Sequence, residues 1–182
     1  MRILYFHQHF STPDGATGTR SYEFSRCLLE HGHEVTVVCG SYGLGRSGLD
    51  GTFTKGFRRG TVEGIDVIEL ELAYSNHMGF WKRTAVFLKF ALHGLRIALT
   101  QEADLVFATS TPLTAALPGI AAAWVRRKPF VFEVRDLWPD LPREMGIIRS
   151  RAVLTLLYSF EWLAYRSACD SLGDTRQPSE SR

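Results

Sequence analysis

Short apolar runs recurring between helix-patterned stretches constrain this chain more than any other feature. Arg2 to Phe6, Glu34 to Cys39, Ile65 to Leu72, Asp104 to Ala108 and Pro129 to Val134 read as strands. Between them, the segments opening near Thr19, Phe80 to Thr100 and Pro112 to Arg127 carry helical patterns. The alternation predicts a doubly wound α/β fold. Its parallel sheet is covered on both faces and joined by right-handed crossovers, and ligands sit outside the carboxyl ends of the strands. A length of 182 residues fits one such domain.

Finer expectations follow from local chemistry. Thr17 or Thr19 can cap the first helix, which turns Phe24, Cys27, Leu28 and His31 to one side and stops at Gly32. Seven glycines between Gly40 and Gly60, set among Ser, Arg and Lys, predict a long mobile loop. The last helix, Ser150 to Ala168, is strongly apolar. The polar run after it divides the chain into a domain over 1–168 and a disordered tail over 169–182.

Composition narrows the function classes. A net charge of +2 is too mild for a nucleic-acid partner, which needs a concentrated basic stripe. Cys27, Cys39 and Cys169 are odd in number and far apart, so they fit neither a disulfide framework nor a zinc spacing, and no other metal constellation recurs. Met1 to Phe6 is too short for a signal peptide core, and Ala115 to Val125 is too short to span a bilayer. A reducing, cytoplasmic setting is expected.

Four features can carry chemistry. Gly15-Ala16-Thr17-Gly18-Thr19-Arg20 joins the first strand to the first helix and is either a plain turn or a phosphate cradle. It lacks the third glycine of a dinucleotide fingerprint, and the second strand ends without a ribose-binding acid, which disfavours NAD; no P-loop occurs. Phe132 to Asp140 places Glu133, Arg135, Asp136 and Trp138-Pro139 at a strand end, as a catalytic cluster or a structural ion-pair group. His7 and His9 close the first strand, pointing one way with Gln8 opposite, so that one of them can reach a ligand. Finally, Lys82, Lys89, His93 and Arg96, with Arg83 beside them, line a helix otherwise rich in Phe, Trp and Leu. That helix either packs on the sheet or lies on an anionic bilayer.

The segments Ile3 to Phe10, Gly18 to Glu23, Gly32 to Val38 and Phe132 to Pro139, in this order and spacing, resemble the N-terminal domain of family 4 glycosyltransferases. The nearest likeness is to the WbuB-like enzymes of O-antigen and capsule assembly, and it runs from Met1 to about Ala168. The resemblance implies one half of a GT-B architecture, in which two Rossmann-like domains face a cleft and this half holds the acceptor. It further implies retaining transfer from a nucleotide-sugar co-substrate, UDP-linked by expectation and without a resident cofactor, to a surface-glycan or lipid-linked acceptor.

Residue by residue, Gly15, Gly18, Thr19, Arg20 and His9 would face phosphate or substrate, and Arg135 and Asp136 would be catalytic. Many relatives carry His-Asp where this chain has Arg135-Asp136, so no histidine role transfers to that position. Lys82, Arg83, Lys89 and Arg96 would face a membrane, placing the protein peripherally on the inner face. Relatives continue past Ala168 into a further strand and a donor domain. The residues from Cys169 onward do not match them, which implies a chain truncated before its donor half. The alternatives are a non-catalytic acceptor-binding or membrane-docking module working with a separate donor domain and, behind it, a sugar epimerase or dehydrogenase.

Overall fold

Residues 1–74 and 78–172 are described by the structure, a computed structural model. In chain order the elements are β1 (Arg2–Phe6), α1 (Arg20–Glu30), β2 (Glu34–Tyr42), β3 (Phe57–Val62), β4 (Ile65–Tyr74) and α2 (Phe80–Thr100). They continue with β5 (Leu105–Thr109), a 3-10 turn (Leu113–Ala115) leading into α3 (Ala116–Val125), β6 (Phe130–Glu133), α4 (Asp140–Glu144), α5 (Arg151–Ser167) and β7 (Asp170–Leu172). The strands form one sheet in the order β3-β4-β2-β1-β5-β6-β7. All pairings are parallel except β3 with β4.

From β1 the chain winds outward to β2 and β4, then crosses through α2 to β5 and winds the other way. The reversal falls between β1 and β5, whose registers pair Ile3 with Leu105 and Phe6 with Ala108. A crevice opens outside the carboxyl ends of strands at such a switch point.

Each face of the sheet has its own core. Leu4, Phe6, Val38, Ile68, Phe90, Ala108, Phe130 and Phe132 pack on one side with residues of α2, α3 and α5. Ile3, Tyr5, Val35, Val37, Val67 and Phe107 pack on the other with Tyr22, Phe24 and Leu28 of α1. Successive residues of β1 thus serve opposite cores, as the two-residue period of a strand requires.

Several expectations are corrected here. In α1 the buried residues are Ser21, Tyr22 and Ser25, while Cys27 is exposed; the two small serines, one turn apart, let the helix approach the sheet more closely than Cys27 and His31 would. Thr19 occupies the cap position but its side chain makes no capping bond. Gly32 does stop the helix, with φ +77°.

The glycine-rich stretch expected to be a mobile loop lends its first residues to β2 and its last to β3. What lies between is tied down. Thr12 N–H donates to the Arg46 carbonyl at 2.8 Å and Ala16 N–H to that of Leu44 at 2.9 Å, and buried Glu69 accepts from Arg58 Nε at 2.8 Å and from Ser47 Oγ.

The sheet also extends past the expected boundary at residue 168. Cys169 N–H donates to the Phe130 carbonyl at 2.8 Å, and Asp170–Leu172 pair with Val131 to Glu133. The rest of the expected tail, 173–182, lies outside the described residues.

Candidate functional site

The carboxyl ends of β1, β5 and β6 bring polar side chains together at the switch point, where such folds open a crevice. His7, immediately after β1, is buried. Its Nδ1 lies 2.8 Å from Thr109 Oγ1 and its Nε2 lies 3.4 Å from Arg135 Nη1. A guanidinium can only donate, so Nε2 is the lone-pair nitrogen and Nδ1 carries the proton, given to Thr109. Burial, then the charge of Arg135, then His9, push the His7 pKa down from 6.5 to about 3, so the ring is neutral near pH 7.

Ser110, the residue after β5, holds the end of β6. Its Oγ accepts the backbone N–H of Arg135 at 2.8 Å and that of Asp136 at 3.0 Å, while its own N–H donates to the Glu133 carbonyl at 2.9 Å. Thr111 Oγ1 donates to Asp136 Oδ2 at 2.7 Å. Asp136 Oδ1 takes no hydrogen bond from a described residue. One carboxylate oxygen is therefore fixed by the protein, and the exposed Arg135 side chain comes directly before it in the chain.

Across the crevice, Arg20 at the first position of α1 reaches back to β6. Its Nη2 lies 2.6 Å from Glu133 Oε1, and the two side chains are 69% and 9% exposed. Gly15 earns its place by close approach: a Cβ there would lie 2.0 Å from Ser11 Oγ and 2.9 Å from the Arg46 backbone nitrogen. Gly18 and Thr19 lead directly into α1, with open space beside Gly18.

The sequence places His7 and His9 on one side, but the chain leaves β1 at Phe6 and the two-residue alternation ends there. His7 stays beside Tyr5 at 6.1 Å between ring centroids. His9 stands against Tyr42 and Tyr74, at 5.2 and 4.8 Å. His7 is accordingly the histidine that joins Arg135, and His9 forms part of an aromatic wall that Tyr74 continues to Phe87 of α2. Burial, then Arg135, lowers the His9 pKa to about 4.

Sequence reasoning overlooked Thr109, Ser110 and Thr111. Their only signal was a run of small hydroxyl residues directly after an apolar strand.

On α2, Lys82, Lys89, His93 and Arg96 are exposed along one side, next to Trp81 (81% exposed), Leu88 (51%) and Leu92 (53%). Arg83 does not join them: it is half-buried, with its guanidinium carbon 5.9 Å from the Tyr74 ring centroid and Nη2 donating to the Met78 carbonyl at 3.5 Å. A single residue step, about 100° of helical rotation, turns its direction away from that of Lys82. No described helix is long and apolar enough to cross a membrane. Among the described residues, no three His, Cys, Asp or Glu side chains are grouped to hold a metal ion.

A family model for the glycosyl transferase 4-like domain matches residues 15–169, which takes in the glycine loop, α1, the strand-end cluster and α5. The chain belongs to the glycosyl transferase 4-like family. No curated protein sequence matches it.

Among solved structures, this glycosyl transferase 4-like domain is similar to the α,α-trehalose 6-phosphate synthase of Burkholderia multivorans, with TM-score 0.51 and 13% identity over 93% of this chain and 38% of the synthase. A structure described as trehalose-6-phosphate from E. coli bound with UDP-2-fluoro glucose gives TM-score 0.49 and 10% identity, over 90% of this chain and 37% of that one. The chain thus spans under two fifths of the length of either protein. Its fold is the doubly wound, Rossmann-like α/β domain found in GT-B glycosyltransferases.

Proposed function

We propose that this domain is the acceptor-side half of a glycosyltransferase that moves a sugar from a nucleotide donor to a glycan or lipid-linked acceptor of surface-polysaccharide assembly. The observation that carries the reading is Asp136, held by Ser110 and Thr111 with one carboxylate oxygen left for a ligand hydroxyl, at the switch point of a family-4-like sheet.

In the proposed reaction the acceptor oxygen bonds to the sugar's anomeric carbon on the face the donor phosphate leaves. The C–O bond to the diphosphate breaks with its electron pair going to phosphate, and the hydroxyl proton passes to the departing phosphate oxygen. Asp136 orients the acceptor hydroxyl, Arg135, oriented by His7, bears on the developing charge, and the Gly15–Gly18–Thr19 loop with Arg20 faces the diphosphate. The donor is a co-substrate, UDP-linked in this reading, and a donor-binding half completes the cleft.

Calorimetry of the purified chain with UDP, UDP-GlcNAc and NAD tests this. Weak UDP or UDP-sugar binding that Arg20→Ala removes is expected of an acceptor-side half. Micromolar UDP-sugar affinity of this chain alone overturns the assignment of the donor to the other half, and binding of NAD in preference to both overturns the reading.

A second reading, docking on an anionic bilayer, is favoured by the outward face of α2. There Trp81, Leu88 and Leu92 run beside Lys82, Lys89 and Arg96, and the helix contains no acidic residue. Buried apolar area and attraction to anionic headgroups add in such helices. Flotation with phosphatidylglycerol vesicles should capture the chain, and Lys82→Glu with Lys89→Glu should release it. Equal capture by neutral vesicles would remove the electrostatic half of this reading.

A further inference from the structure

Arg20 is a long, exposed side chain at the mouth of the crevice, and a free arginine there would sample many rotamers. Its partner is unusual: Glu133 ends β6, its side chain is 9% exposed, and its Oε1 accepts from Arg20 Nη2 at 2.6 Å. Glu133 is itself fixed by the sheet, since its carbonyl accepts from Ser110 N–H at 2.9 Å and its backbone pairs with Thr109 and Leu172. The anchor is held by the sheet, and the anchored side chain is long and rotamer-rich when free. An interaction between them therefore restricts Arg20 far more than Glu133.

From this geometry we infer that Glu133 is a positioning residue: it holds the Arg20 guanidinium over the switch point with Nε and Nη1 left to receive an anionic group of the donor. This rests on the phosphate-facing role proposed above for Arg20. Glu133 touches no substrate in this arrangement and acts through Arg20. The sequence gives the pair no adjacency, because Arg20 opens a helix on one flank of the crevice and Glu133 closes a strand on the other.

Two effects compete at such a pair. A carboxylate near an anion site repels the ligand, whereas ordering the arginine beforehand removes an entropy cost from binding. Positioning needs an acceptor atom at the Oε1 place and not its charge, so the two effects separate by substitution. Glu133→Ala removes acceptor and charge, and Glu133→Gln removes the charge alone.

The test measures UDP and inorganic pyrophosphate binding by calorimetry on wild type, Glu133→Ala, Glu133→Gln, Arg20→Ala and the double variant Arg20→Ala/Glu133→Ala. The relaxation of the Arg20 Nε–H by ¹⁵N NMR and a thermal melt accompany each. Glu133→Ala should weaken binding by about three- to tenfold, the scale of one freed rotamer-rich side chain. Glu133→Gln should recover most of that loss, and Glu133→Ala should have no further effect once Arg20 is gone.

The Arg20 Nε–H should be ordered in wild type and Glu133→Gln and mobile in Glu133→Ala, whether or not a ligand is present. Unchanged or tighter binding in Glu133→Ala, or an Arg20 equally mobile in wild type, overturns the inference. A wild type with an ordered Arg20 that binds neither probe overturns the phosphate role instead and leaves the positioning of Arg20 standing.

Discussion

At the amino ends of the strands, Arg2 pairs with Glu102 and Asp104 across open surface, its side chain 45% exposed and theirs 77% and 39%. At the carboxyl ends, Arg20 reaches a carboxylate that is 9% exposed, and a neutral histidine is enclosed between Thr109 and Arg135. One sheet thus carries charge in two ways. The Arg2 cluster lies in water, where attraction is screened, so its ion pairs add little to stability although the Asp104 carboxylate accepts from both the backbone and the guanidinium of Arg2. The carboxyl end encloses His7, Thr109 and Ser110 among hydrogen-bond partners, where an unmade bond is costly. A site that positions a reacting group needs the second kind.

Acid should separate the two ends most. The pKa values of His7 and His9 are lowered from 6.5 to about 3 and about 4 in the folded chain. The unfolded chain therefore binds protons first as pH falls, and the stability these rings contribute, complete above pH 6.5, is lost progressively between there and pH 4 to 3. At about pH 5 the loss is roughly 2 kcal/mol per histidine, about 4 kcal/mol together. Urea unfolding at pH 7.5 and pH 5 checks this, and His7→Gln should roughly halve the dependence, leaving the part due to His9. No pH dependence over that range would mean the carboxyl end is as open to water as the amino end.

The next largest effect is expected from Gly15→Ala, whose new Cβ would meet Ser11 Oγ and the Arg46 nitrogen. A cost of about 1–3 kcal/mol and weakened UDP binding are expected, read from thermal melts and calorimetry. Ser110→Ala should follow, at about 1–2 kcal/mol, because it leaves the N–H groups of Arg135 and Asp136 without their acceptor. Its loss of transfer activity, assayed with the donor half supplied, should exceed what the stability change explains. Arg2→Ala should be the smallest, leaving the melting temperature within the scatter of repeat measurements. A large shift there would erase the distinction drawn between the two ends.

How much of this was legible in the sequence depended on which force placed each part. Strands such as β1, with Leu4 and Phe6 facing one core and Ile3 and Tyr5 the other, announce themselves by hydrophobicity. The helix over Phe80–Thr100 was legible to the residue. β3 was not, because Phe57–Val62 lies at the sheet edge, buries no residue fully and reads Phe-Arg-Arg-Gly-Thr-Val. What orders it is pairing with β4 and the anchoring of Arg58 on Glu69.

In the candidate site, Arg135 and Asp136 stood out as charges at a strand end. The hydroxyls that hold them did not, since Thr109, Ser110 and Thr111 look like any loop until the sheet sets β5 beside β6. The choice between His7 and His9 turned on where β1 stops, a matter of backbone geometry that side-chain alternation does not reveal.

The order of synthesis gives the switch point one more consequence. His7 and Arg135, which meet in the crevice, are 128 positions apart. At about 5–20 residues per second, β1 leaves the ribosome roughly 6–25 seconds before the β6 end it must touch. During that interval β1 can pair with β2 on one edge, since α1 and β2 follow it directly, while the edge destined for β5 stays open. The strand at the centre of the finished sheet is therefore an edge strand during synthesis. The nascent chain carries a sticky apolar ribbon, Ile3-Leu4-Tyr5-Phe6, that chaperones or a neighbouring chain can seize before the crevice exists.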